Sequence, residues 1–234
     1  MREPLTLAVA QPPCMSYDIA RNAKAHADAV RAAGARVVIF PELSLTGYEL
    51  EADPITADDP LLDPLVAACA ETGAWALVGA PVHGEGGAAH IATLAVDGSG
   101  ATVAYRKMWL GETESAYFVP GDKPAVHEVD GWRLGLAICK DTGIPQHAAE
   151  TAALGIDAYL TGSVKSTGES ALQDERACRI ATEHGVWVAV ASFAGSTGGG
   201  FAEAAGRSGI WRPGGAVVTQ AGPETGAVAR ATLT

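Results

Sequence analysis

The run Val37-Val38-Ile39-Phe40-Pro41-Glu42-Leu43 places four apolar residues, three of them β-branched, directly before a proline and a carboxylate. β-branched side chains suit a pleated, buried strand, and proline cannot donate to the next rung of a ladder, so the strand is expected to end at Phe40. Glu42 is then left where a buried strand opens into a loop, the position at which sheet-based folds collect their chemistry. Two further runs repeat the arrangement. Ala104-Tyr105-Arg106-Lys107-Met108-Trp109 puts Lys107 after a strand that begins near Thr102, and Gly135-Leu136-Ala137-Ile138-Cys139-Lys140-Asp141 closes a strongly apolar strand on Cys139. An acid, a cation and a thiol are all expected at strand ends. Each alone has an ordinary structural explanation; the three together do not.

Outward from these runs, short apolar segments recur at Leu5–Ala10, Trp75–Val78, Ile91–Val96, Leu134–Ile138, Ala158–Leu160 and Trp187–Ala191. Ala-rich segments with helical character lie between some of them. Ile19–Ala33 follows the capping candidates Ser16 and Asp18 and stops at Gly34. Asp63–Glu71 stops before Gly73, and Leu172–Glu183 before Gly185, the glycine stop expected beyond a helix. Asp97-Gly98 and Asp130-Gly131 read as hairpin turns. Helix-linked and hairpin-linked strands together predict an α/β layered domain with a mixed sheet, spanning residues 1–234 without a linker. The Gly-rich stretch 195–206 is expected to be a mobile loop.

The 234 residues are 48% hydrophobic and 18% charged, enough apolar material for one large core. A net charge of -11 opposes binding to nucleic acid and to anionic lipid. No apolar run approaches the ~20 residues of a membrane span, and Leu5–Ala10 is too short for a signal peptide, so the expected location is cytoplasmic. Cys14, Cys69, Cys139 and Cys178 are widely spaced, without a C-x-x-C pair or zinc-ligand clustering, and are expected to be free thiols. There is no phosphate loop, G-x-S-x-G elbow or H-E-x-x-H helix; no metal and no cofactor is expected. His147, eight residues past Cys139 on an expected helix, is not singled out as its partner.

In order and over nearly the whole chain, these segments resemble the nitrilase, or carbon–nitrogen hydrolase, superfamily. Leu7-Ala8-Val9-Ala10-Gln11 is similar to its opening strand, and Val37 to Glu42 with Leu45-Thr46-Gly47-Tyr48 to the segment of its catalytic glutamate. Tyr105-Arg106-Lys107 resembles the lysine segment, Glu114 to Asp122 the stretch with a second glutamate, and Ile138-Cys139-Lys140-Asp141 the nucleophile segment. Gly206-Arg207-Ser208-Gly209-Ile210 and Pro213-Gly214-Gly215 follow the C-terminal half.

The resemblance implies a four-layer α-β-β-α sandwich with mixed sheets that forms a homodimer or higher homo-oligomer. It implies hydrolysis of a small amide to acid and ammonia, with water as the co-substrate, or of an N-carbamoyl compound; lacking the Cys-Trp-Glu pattern, nitrile hydrolysis is the weaker option. A non-catalytic binding subunit of the same fold is the reading of another class. Cys139 would be the nucleophile, Glu42 the general base, and Lys107 with the backbone N–H of Lys140 the stabiliser of the oxyanion. Glu114 would orient Lys107 or the amide. Tyr48, Trp109, Tyr117, Phe118, Lys140, Asp141 and Ser163 are the expected pocket residues, with Lys140 able to pair with Asp141 or with a substrate carboxylate. The short interval between Lys107 and Cys139 suggests an open site.

Overall fold

The computed structural model describes residues 2–234. The strands are β1 (Leu5–Ala10), β2 (Val37–Ile39), β3 (Trp75–His83), β4 (Ala89–Asp97), β5 (Gly100–Arg106), β6 (Ala125–Val129) and β7 (Trp132–Ile138). They continue as β8 (Ala158–Ser163), β9 (Trp187–Ser192), β10 (Ala194–Gly195), β11 (Ala204–Ala205), β12 (Gly209–Trp211), β13 (Val217–Gln220) and β14 (Val228–Leu233). The α-helices are α1 (Ile19–Ala33), α2 (Asp63–Thr72), α3 (Pro145–Ala153) and α4 (Ser170–His184).

Two six-stranded sheets form, ordered β14-β1-β2-β3-β4-β5 and β13-β12-β9-β8-β7-β6. Read from β14 and from β6 respectively, both follow one pattern: antiparallel, parallel, parallel, antiparallel, antiparallel. The chain thus repeats one sheet topology, though its sequence shows no internal repeat. Alternation along the strands builds the layers. Leu5, Leu7 and Val9 of β1 meet Leu134, Leu136 and Ile138 of β7 in the core between the sheets. Ala8, Ala10 and Val38 face the other way, against Ala23, Ala27 and Val30 of α1 and Leu65 and Ala68 of α2. Ala137, Val188 and Val190 likewise pack on Ala177 and Ile180 of α4. The result is an α-β-β-α sandwich, as the resemblance implied.

Asp18 caps α1 by accepting from the backbone of Arg21, and Gly34 ends it in the left-handed conformation. Two readings of the sequence need correction. Strands β12 to β14 were not anticipated: β12 and β13 offer only the short apolar pairs Ile210-Trp211 and Val217-Val218, and β14 buries only Ala229, Ala231 and Leu233, where alanine carries little hydrophobic contrast against its exposed neighbours. The Gly-rich stretch 195–206, expected as a loop, carries β10 paired with β11. It is also pinned to the β2 side, because Gly198 N donates to Gly47 O at 2.8 Å and the Thr197 hydroxyl to the same carbonyl at 2.8 Å.

The segment after β2 runs between the sheets. A Cβ on Gly162 of β8 would lie 2.6 Å from Phe40 O and 2.8 Å from Glu42 N. On the other side, a Cβ on Gly79 of β3 would collide with Leu43 N and Pro41 O. Only glycine lets two strands approach this backbone so closely. Gly162→Ala should therefore lower the urea midpoint by an amount equal to about 1–3 kcal/mol, the usual cost of overpacking, with an unchanged m-value; an unaltered midpoint would contradict the close approach.

Candidate active site

Glu42, Lys107, Cys139 and Glu114 meet in the interior, with exposures of 1%, 1%, 6% and 3%. Lys107 follows β5, its N–H held by Ile91 O at 2.8 Å. Its ammonium lies 2.5 Å from Glu42 Oε1 and 2.7 Å from both carboxylate oxygens of Glu114. Glu114 also accepts from Gly111 N at 2.5 Å and from the Tyr48 hydroxyl at 3.0 Å. Glu114 thus fixes Lys107, and Tyr48 and Gly111 fix Glu114.

Glu42 Oε2 has no hydrogen-bond partner among the described residues, and the Cys139 thiol is close enough to act on that carboxyl. Burial raises the Glu42 pKa to about 7, against the pull of Lys107 and with the push of Glu114. Two carboxylates share one ammonium here, so an added proton has a low cost. Burial opposes the Lys107 charge, but Glu42, Cys139 and Glu114 outweigh it and move its pKa up. Glu114 is depressed: burial is overcome by Lys107, Gly111 and Tyr48.

Cys139 sits in the left-handed region at φ 41°, where β7 turns into a short 3-10 segment. Leu43 and Tyr48 are also left-handed, at 50° and 60°. Non-glycine residues there cost about 1–3 kcal/mol each and collect at functional sites. The surroundings hold them. Asn22 of α1 donates to Leu45 O at 2.9 Å, and His26 Nε2 meets the Ser44 hydroxyl at 2.8 Å. Cys139 N donates to the Thr161 hydroxyl at 3.2 Å. Burial and Glu42 raise the thiol pKa, while Lys165, Lys107 and Ser163 lower it.

The expected pocket residues divide. Tyr48 and Ser163 face the cluster of Glu42, Lys107, Glu114 and Cys139. Tyr117 is 45% exposed and donates to Glu51 at 2.9 Å, on a cavity of about 580 Å³ also lined by Tyr17, Glu49, Thr113 and Gly199. Phe118 is core between the sheets. Trp109 stands edge-on to His147, and Asp141 is fully buried on backbone and tyrosine donors rather than in a pocket. Lys140 does not pair with Asp141; its ammonium donates to Leu110 O at 2.6 Å. Thr161 and Lys165 were missed. The one signal for Thr161 was a hydroxyl inside the apolar run of β8, and nothing in the sequence tied Lys165 to Cys139.

The carbon-nitrogen hydrolase family model matches residues 6–234, and the chain belongs to that family. A Pseudomonas protegens protein named hydrolase in pqqF 5'region is 29% identical over 201 residues, 82% of this chain and 70% of that protein. A formamidase from Allorhizobium ampelinum is 29% identical over 156 residues, 61% of this chain and 45% of that enzyme, so the match spans under half its length. The amidase of the nitrilase superfamily from Nesterenkonia AN1 shares the fold: TM-score 0.87 at 24% identity, over 98% of this chain and 90% of that chain. One structure of a mutant of that amidase shows the acetamide moiety of fluoroacetamide added covalently at the active site cysteine.

Replacing Lys107 by methionine would leave two buried carboxyls facing each other. Their folded pKa values would then lie above the unfolded ~4.3. The stability they cost is absent below that value and grows as pH rises through it. Lys107→Met should lose about 3–5 kcal/mol of unfolding free energy at pH 8, the cost of breaking a buried pair, and clearly less at pH 5. Equal losses at the two pH values in denaturant titrations would argue against the buried cluster.

Proposed function

We propose that this protein hydrolyses a small amide to the acid and ammonia through a thioester on Cys139. The observation that carries the reading is the Lys107 ammonium held between Glu42 and Glu114 at 2.5 and 2.7 Å, beside a cysteine in a strained turn. A free Glu42 oxygen supplies the base, Lys107 a fixed positive charge, and Cys139 the nucleophile.

Glu42 takes the thiol proton as sulfur attacks the amide carbon, which avoids a free thiolate in a buried site. Negative charge grows on the carbonyl oxygen, where Lys107 and a backbone N–H, assigned here to Lys140, meet it. The tetrahedral intermediate collapses, Glu42 hands its proton to the nitrogen, and ammonia leaves. Glu42 then removes a proton from water, the hydroxide adds to the thioester, and the departing sulfur regains that proton. Glu114 is the positioning residue for Lys107. The burial of all four side chains suits a small acyl group. The covalent adduct on the Nesterenkonia amidase and the name of the formamidase support the amide as substrate. No helix among the described residues is long and apolar enough to cross a membrane. A cytoplasmic homodimer acting on a small-molecule substrate, without nucleic acid or membrane partners, completes the proposal.

The test is ammonia release from small aliphatic amides, dicarboxylate monoamides, N-carbamoyl amino acids and nitriles. Wild type should release ammonia from an amide and Cys139→Ala should not, while Glu42→Gln should lose on the order of 100-fold or more in kcat. Release by Cys139→Ala at the wild-type rate would contradict the reading, and release from carbamoyl compounds alone would replace it.

The pH dependence has a defined sign. The base must be ionised, so kcat/KM should rise with pH up to the Glu42 value of about 7 and level off above it. Glu114→Gln removes a charge that holds this value up and should move the midpoint down. A midpoint that stays put or rises would argue against Glu42 as the titrating base.

A further inference from the structure

A second buried polar cluster lies behind the cysteine turn and takes no part in the steps above. Asp141, fully buried, accepts at Oδ2 from Ile138 N at 2.9 Å and from the Tyr105 hydroxyl at 2.8 Å. Its Oδ1 accepts from Trp109 N at 3.0 Å. Ile138 immediately precedes the nucleophile, while Tyr105 and Trp109 stand two residues to either side of Lys107. One carboxylate therefore ties the lysine segment to the cysteine turn on both sides.

The hydroxyl of Tyr105 is fully used. It donates to Asp141 and accepts from Met108 N at 3.3 Å and from His147 Nε2 at 2.9 Å. This assigns the His147 proton to Nε2, and Nδ1 then accepts from the Tyr159 hydroxyl at 2.8 Å. Burial lowers the His147 pKa against the pull of Asp141 and Glu150, in keeping with a neutral ring. Every donor points one way: Tyr159 to His147, His147 to Tyr105, Tyr105 to Asp141. The chain of bonds begins on β8, crosses α3 and β5, and ends at the nucleophile segment.

We propose that Asp141, Tyr105 and His147 are positioning residues that fix Lys107 relative to Cys139. The inference rests on the amide-hydrolase reading for its kinetic consequence. None of the three touches the reacting atoms. They act through the backbone of residues 105–109 and 138: loss of the Tyr105 hydroxyl should loosen the placement of the ammonium at the oxyanion, while loss of the Asp141 charge should also release the cysteine turn.

The test uses Tyr105→Phe, which keeps the ring and removes the hydroxyl, with Asp141→Asn beside it and denaturant unfolding as the fold control. Tyr105→Phe should lower kcat for the best amide by on the order of 10- to 100-fold, the scale of small misplacements, with KM within about twofold. Alkylation of Cys139 by iodoacetamide, located by peptide mass, should slow far less than kcat, because alkylation builds no oxyanion for Lys107 to meet and feels Lys107 only through the thiol pKa. Hydrogen exchange of the Lys107 ammonium, read by 15N NMR without any turnover, should quicken in the variant. Unchanged kcat and unchanged exchange with only a lower unfolding midpoint would overturn the proposal in favour of a purely stabilising network. Alkylation falling in step with kcat would also overturn it, placing the effect on the nucleophile. Wild-type silence on amides would sink the amide reading instead, and the ammonium exchange would still decide the positioning claim.

Discussion

The site depends on one ammonium shared by two carboxylates in the interior. Moving three charges out of water costs several kcal/mol per ion, and only close, well-directed contacts offset it. Lys107 offers them, with Glu42 at 2.5 Å and Glu114 at 2.7 Å. The cluster carries one negative charge more than positive, and that excess falls on Glu42, the member with a free oxygen. A carboxyl that binds its proton near neutral pH can both take and return one. Glu114, tied down by Lys107, Gly111 and Tyr48, cannot exchange its role with Glu42. The same arrangement that makes the charges tolerable in the core also moves the pKa values of the two acids in opposite directions.

Much of the fold answers to this constraint. The segment carrying Glu42 must reach Lys107 between two sheets, and it does so across Gly79 and Gly162, where any side chain would collide. Three of the six non-glycine residues in the left-handed region among the described residues are Leu43, Tyr48 and Cys139. That strain is held by α1 through Asn22 and His26, by β8 through Thr161, and by Asp141. Gln11, at the end of β1, ties the C-terminal segment on: its side chain accepts from Ser208 N at 2.8 Å and donates to Glu224 O at 2.9 Å.

The segments of Glu42, Lys107 and Cys139 were legible because each puts a reactive residue where an apolar strand stops, a pattern independent of tertiary detail. Helix α1 was legible from its cap and its glycine. What the sequence could not show depends on register. Cys139 N reaches Thr161 only because β7 and β8 run parallel with Ala137 opposite Thr161. Asp141 looks like a pocket acid in sequence, yet the turn at Cys139 directs it inward to Tyr105, 36 residues away. The contacts of Lys140 with Leu110 O and of Phe118 with the core between the sheets were hidden for the same reason: sequence gives the position of a side chain along an element, and only packing decides what it faces. Glu114 came from the resemblance alone, since a glutamate in a loop has no local mark of burial.

The claim that Cys139 carries the acyl group is tested most directly by rapid acid quench of the protein during turnover of a small amide, followed by intact and peptide mass analysis. The peptide containing Cys139 should gain a mass equal to the acyl group, and the gain should be absent when Cys139 is replaced by alanine. An acyl group on another residue, or turnover of the amide with Cys139 unmodified under conditions where thioester hydrolysis is blocked, would contradict it.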